Sequence, residues 1–244
     1  MLIFRCNYHL EELMKKIITV LLGVCLLLSL GACGTKTEDT PAPEETPAAE
    51  TQENTETENT AEATEVGRGT YNGNVYENES LNLRFELPEN WVFYTEEEIA
   101  EANSMTAEQL EGTDIADMVA ERGQYTDLFA QNTSVGSSVN LIISERIAGY
   151  SDKAMFEAIE SFYRDQFEAA GMPVKTYEVV TKTFCGEEKD CLHIILETQG
   201  IEVEEYQIYV TPDDSIYADM LTISGVPALG EDAAAYLDNF SKIH

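Results

Sequence analysis

Between residues 67 and 243 only Cys185, Cys191 and His193 offer a thiol or an imidazole. The two cysteines flank a turn read over Gly186 to Asp190, so in a hairpin they sit nearly opposite each other. That spacing allows a cross-strand disulfide, and it equally allows two buried free thiols. His193 lies two residues beyond Cys191 and so on the same strand face, which gathers three soft ligands on one patch. Structural zinc wants four ligands and no fourth is visible, so no metal is assigned to this trio. Nucleophilic catalysis has little to work with. Within residues 67–244 His193 is the sole histidine before the terminal His244, and no G-x-S-x-G elbow occurs. A phosphate loop, a calcium loop, an internal repeat and a cofactor fingerprint are absent too, so no cofactor is expected. Acids are everywhere, and one stands out. Asp219 lies mid-strand in phase with Tyr217, Leu221 and Ile223. Buried, it would need a partner or a raised pKa; as aspartate is seldom buried, an exposed or edge position is expected.

A fourth reactive residue lies near the start. Met14-Lys15-Lys16, an apolar stretch from Ile17 to Leu30 and the run Leu30-Gly31-Ala32-Cys33 have the form of a bacterial lipoprotein signal peptide over 14–32. The 14 apolar residues are too few for a membrane span. Cys25 is a poorer acylation site because Val24 precedes it. Residues 1–13 read as an upstream extension, with Met14 the start. Signals of this type imply a diacylglyceryl, palmitate-bearing Cys33, and two acyl chains suffice for stable anchoring. Residues 34–66 are Thr, Glu, Pro, Ala and Asn with ten acids against Lys36 and no aromatic side chain, the composition of a disordered, self-repelling leash. A glycosylated stalk is the other reading of that stretch.

Residues 67–244 are the size of one domain. They hold ten Lys and Arg against 34 Asp and Glu, a formal charge of −24. Nucleic acid and anionic lipid headgroups would be repelled. Leu81, Leu83, Phe85 and Leu87 alternate with polar residues and stop at Pro88, which predicts a half-buried strand in a hairpin with 74–78. Thr95 and Glu98 form a capping box at a helix start. A second helical stretch, 107–122, is open to a break at Gly112, and its Asp114, Asp117 and Glu121 read as a solvated face. Strands follow at 126–132 and 138–146. The best-formed helix spans 151–171, capped by Ser151, with Phe156, Ile159, Tyr163, Phe167 and Ala170 as its core stripe. Four strands near 174–184, 190–198, 202–211 and 215–224 make an antiparallel meander. Within 202–211 the apolar set changes parity, which requires a bulge near Glu204 or cover on both sheet faces. Helices at 151–171 and 231–242 would cover one face and 96–122 the other, so the class is α+β: an antiparallel sheet of six to seven strands flanked by helices.

The order of landmarks resembles the PsbP family, extrinsic subunits of photosystem II, and in particular its lipoprotein relatives in anaerobic Gram-positive bacteria. Leu81 to Phe85 runs into Leu87-Pro88-Glu89-Asn90-Trp91. Asp127-Leu128-Phe129-Ala130, Ser138-Val139-Asn140-Leu141, the helix 151–171, Phe184-Cys185-Gly186, Tyr206-Gln207, Leu221-Thr222-Ile223 and a closing helix with Phe240 follow in order. The resemblance implies an α/β/α sandwich used for docking onto other proteins and not for catalysis, and it carries over no ligand residue. A chain living without oxygen would keep Cys185 and Cys191 as thiols.

The expectation is therefore a non-enzymatic lipoprotein, held on the extracytoplasmic face of a Gram-positive membrane through Cys33, whose monomeric domain binds an envelope or extracellular protein. Capture of a small ligand or divalent cation on the acidic face is the alternative, and a wall hydrolase ranks last.

Overall fold

The computed structural model describes residues 67–111, 114–147, 149–211 and 215–244. The signal peptide, Cys33 and the leash lie outside the described residues. Eleven strands form two antiparallel sheets. The larger has seven: β4 (Trp91–Phe93), β5 (Gln124–Asn132), β6 (Ser138–Glu145), β10 (Tyr217–Gly225), β9 (Ile201–Tyr209), β8 (Glu187–Thr198) and β7 (Val174–Phe184), in that spatial order. The smaller has four: β1 (Thr70–Asn72), β2 (Val75–Asn78), β3 (Leu83–Glu86) and β11 (Phe240–Ser241). The α+β class and the seven-stranded sheet follow the sequence pattern. The second sheet was not anticipated, because it joins the first hairpin to the end of the chain.

Each face of the large sheet has its own core. On one face the small sheet supplies Tyr76, Leu83, Phe85 and Phe240, which pack against Leu128, Leu141, Ile208, Leu221 and Ile223. Phe85 and Phe240 stack with centroids 4.5 Å apart; burying an aromatic of this size contributes about 2–3 kcal/mol. The same face continues under α1 (Glu96–Ala102), α2 (Ala107–Glu111) and α3 (Ile115–Arg122), whose Ile99, Leu110, Ile115 and Met118 cover Tyr125 and Ile143. On the opposite face α4 (Asp152–Ala158) and α5 (Glu160–Ala169) bring Phe156, Tyr163 and Phe167 onto Leu192, Ile194, Leu196 and Tyr209.

Several local expectations are corrected. The single helix over 151–171 is two, bent at Ile159, although Ile159 N still donates to Met155 O and Tyr163 N to Ile159 O. The stretch over 107–122 is two helices, Ala107–Glu111 and Ile115–Arg122, in keeping with the break read at Gly112, and Asp114 caps the second by accepting from Ala116 N at 2.8 Å. The closing helix at 231–242 is a 3₁₀ segment, Ala233–Asn239, that gives way to β11. Phe240 pairs with Phe85, and the extended backbone which that pairing demands ends the helix. No bulge occurs near Glu204: β9 runs in unbroken register from Cys191↔Ile208 to Thr198↔Ile201, and its parity change reflects cover on both faces. Register shifts lie instead between Thr126 and Leu128, at Asp127, and between Val174 and Thr176 at the start of β7.

Candidate functional site

The turn between β7 and β8 decides what the three soft ligands can do. It contains two residues, Cys185 at φ 50° and Gly186 at φ 81°, and the predicted five-residue turn is wrong. Both central residues have positive φ, as a two-residue hairpin that follows strand twist requires, and a glycine at the second position makes this easy. Cys185 is therefore in the turn itself, while Cys191 lies opposite Val180. Both thiols are free, the second of the two alternatives that the spacing left open. Burial pushes the Cys185 thiol up to about 11 and the Cys191 thiol up to about 12, away from thiolate chemistry.

His193 shares its face with Cys191 as the spacing implied, but its nitrogens are already taken. Nδ1 lies 2.9 Å from Glu178 Oε1 and Nε2 3.0 Å from Glu204 Oε1. Carboxylates on opposite sides of one ring cannot converge on one ion. Among the described residues no group of three or more His, Cys, Asp or Glu is placed to hold a metal. The imidazole stacks on Tyr206, centroids 4.7 Å apart and planes 12° from parallel. Lys182 Nζ lies 4.8 Å from the centre of the same tyrosine ring. Glu178, His193 and Tyr206 are in register across β7, β8 and β9, so this polar platform runs out to the sheet edge at β7.

That edge differs from the other one. Beyond the three residues of β4, the outer side of β5 is sealed by α1. Asn103 Nδ2 donates to Thr126 O at 2.9 Å, Thr126 N donates to Asn103 Oδ1 at 2.7 Å, and Tyr94 N donates to Phe129 O at 2.9 Å. β7 has eleven residues, no proline and, among the described residues, no strand neighbour on its outer side. The two-residue turn makes Phe184 and Glu187 a hydrogen-bonded pair, so Lys182, Val180 and Glu178 also bond to β8. The backbone groups of Tyr177, Val179, Thr181 and Thr183 consequently point out of the sheet. Its lysines do not guard the edge. Lys175 pairs with Glu197 at 2.8 Å, and Lys182 leans over Tyr206.

Four buried carboxyls lie elsewhere, and one of them, Asp152, is paired with Arg146. Asp219 corrects the expectation of an exposed or edge position, because it is 0 % exposed in the central strand β10. Neither of its carboxyl oxygens has a hydrogen-bond partner, and burial, then the nearby Asp127, push its pKa up to about 7. Asp127, at the bulge, accepts from Tyr76 OH, from Asn78 Nδ2 at 3.0 Å and from Gly69 N at 2.9 Å. Burial raises its pKa against those bonds. Both carboxyls are sealed from solvent, so the pair has a structural role. On the opposite face Glu205, raised to about 7 by burial, heads a polar patch with Gln207, Thr222, Ser224, Ser138 and Asn140. Tyr163 OH donates to Gln207 Oε1 at 3.0 Å.

Among the described residues no helix is long and apolar enough to cross a membrane. No family profile and no curated protein matches the sequence. Among solved structures the chain is similar to cyanobacterial PsbP (CyanoP) from Synechocystis sp. PCC 6803, determined in solution. The identity is 11 % and the TM-score 0.41, over 71 % of this chain and 98 % of that one.

Proposed function

We propose that this chain is a lipid-anchored, extracytoplasmic lipoprotein whose domain is a non-catalytic protein-docking module, and that it docks through the outer edge of β7. The observation that carries this reading is the contrast between edges. A protein that seals β5 with a buried asparagine but leaves the outer side of β7 without a strand neighbour among the described residues keeps a template for strand addition. The platform of Glu178, His193, Tyr206 and Lys182 beside it supplies side-chain specificity. Cys33 and the leash would hold this edge within reach of the membrane, the leash spanning up to roughly 100 Å when extended.

A photo-reactive residue at Thr183, incorporated into the acylated full-length protein in its native membranes, tests the docking edge. Protein adducts are expected at Thr183 and not at Val92, an exposed control on β4. Equal yields at the two positions would overturn edge docking. Mass spectrometry of Cys33 and release of a Cys33→Ser variant from membranes test the anchor.

A second reading rests on the buried patch around Glu205. Glu205, Gln207 and the hydroxyls beside them line a buried polar patch of a chemistry that suits a small polar ligand. Such a ligand would raise the thermal midpoint of the wild type by mass action and leave a Gln207→Leu variant unmoved.

A further inference from the structure

We infer that the strand added to β7 is β7 of a second copy, in an antiparallel register centred on Val180, which joins two seven-stranded sheets into one. This rests on the edge-docking reading and specifies its partner. The register follows from the backbone. Outward groups belong to the odd-numbered residues, so a self-pairing must set odd against odd. Centring on Val180 pairs Tyr177 with Thr183 and Val179 with Thr181 as hydrogen-bonded pairs. The intervening pairs are the closely spaced kind, and there Glu178 of each copy meets Lys182 of the other, twice across the two-fold axis. Centring on Val179 also satisfies the backbone but sets Glu178 against Val180 and Lys182 against Thr176, with no charge match. The remaining side chains suit close pairing: Val179, Thr181, Thr183, Tyr177 and Val180 are β-branched or aromatic, and none is charged.

Charge on the rest of the molecule supports the choice. Residues 67–244 carry a net −24, which makes unspecific self-contact repulsive, yet β7 holds two lysines against one glutamate. Two copies tethered to one membrane are confined to a thin layer, so their effective concentration rises with surface density and favours even a weak edge pairing.

The test uses the acylated full-length protein in lipid vesicles, with energy transfer between copies labelled at the C-terminus and read against surface density. Glu178→Lys and Lys182→Glu should each weaken association about tenfold, while the double variant Glu178→Lys/Lys182→Glu should return it to within about threefold of wild type. Thr181→Pro, which removes one outward N–H and no bond to β8, should abolish transfer. Circular dichroism checks its fold, and the charge swap decides the matter if that variant fails to fold. Absence of density-dependent transfer in the wild type, or failure of the double swap to restore it, overturns the self-pairing. Adducts at Thr183 consisting only of a different protein would overturn it too while leaving edge docking standing. No adducts at all would remove both.

Discussion

Asp219 places a carboxyl in the middle of an apolar sheet with nothing to bond to. Its folded pKa, about 7, lies above the ordinary aspartate value, so the native state holds its proton more tightly than the unfolded chain does. Its contribution is thus least unfavourable at low pH and grows more destabilising as pH rises from about 4 to about 7, a swing on the order of 4 kcal/mol. Asp219→Asn should therefore raise the thermal midpoint at pH 8 and change it little at pH 4; an equal shift at both pH values would contradict this. The phase of Asp219 with Tyr217, Leu221 and Ile223 was legible in the sequence and pointed inward. The rarity of buried aspartate argued the other way, and local phase was the better guide. Cys185 and Cys191 failed for a different reason. Turn length decides which residues face each other, and Cys185-Gly186 is a two-residue turn only because both residues take positive φ, which composition does not announce. His193 was read correctly as sharing a face with Cys191, but its carboxylate partners come from β7 and β9, which no local spacing encodes.

At the scale of elements, the capping box was fully legible. Glu98 N donates to Thr95 Oγ1 at 3.3 Å and Thr95 N to Glu98 Oε2 at 2.7 Å. What this helix does was not legible, since Asn103, just past its end, reaches across to the backbone of Thr126. Asn103→Ala leaves a buried N–H and a buried C=O without partners and should cost about 2–4 kcal/mol in chemical denaturation. Faster amide exchange should be confined to β5 and its neighbours. A loss below about 1 kcal/mol would mean that water replaces the side chain. The meander β7 to β10 was read from alternation to within three residues at each strand end. The small sheet was not, because β11 is two residues long and its pairing with β3 joins positions 155 apart, Phe85 and Phe240. Gly69 belongs to the same lesson. A Cβ there would lie 2.0 Å from the ring of Tyr76, a contact that only the folded clasp on Asp127 creates.

For the molecule as a whole, the net charge of −24 over 67–244 is spread over a surface with few compensating pairs of low exposure. Arg146–Asp152 is the most deeply buried of the ion pairs. Self-repulsion of this size is screened by salt, as the Debye length falls from about 30 Å at 0.01 M to about 3 Å at 1 M. Raising sodium chloride across that range should lift the thermal midpoint by about 5 °C, corresponding to about 1–2 kcal/mol. A flat or falling midpoint would show that the carboxylates are already relaxed by their spacing. Charge sign and fold class were legible from composition and pattern. The open edge was not, since the order of strands in space determines which one is last.

The pairing of Phe85 with Phe240 also sets a clock. The small sheet draws its strands from both ends of the domain, so it cannot close until almost the final residue has been made, whereas β4 to β10 are complete by residue 225. Contacts of such long sequence separation form late and are the first to be lost. Phe240→Ala should therefore accelerate unfolding in stopped-flow denaturation and leave the refolding rate nearly unchanged. A matching drop in the refolding rate would place the C-terminal strand in the folding nucleus instead of at its end.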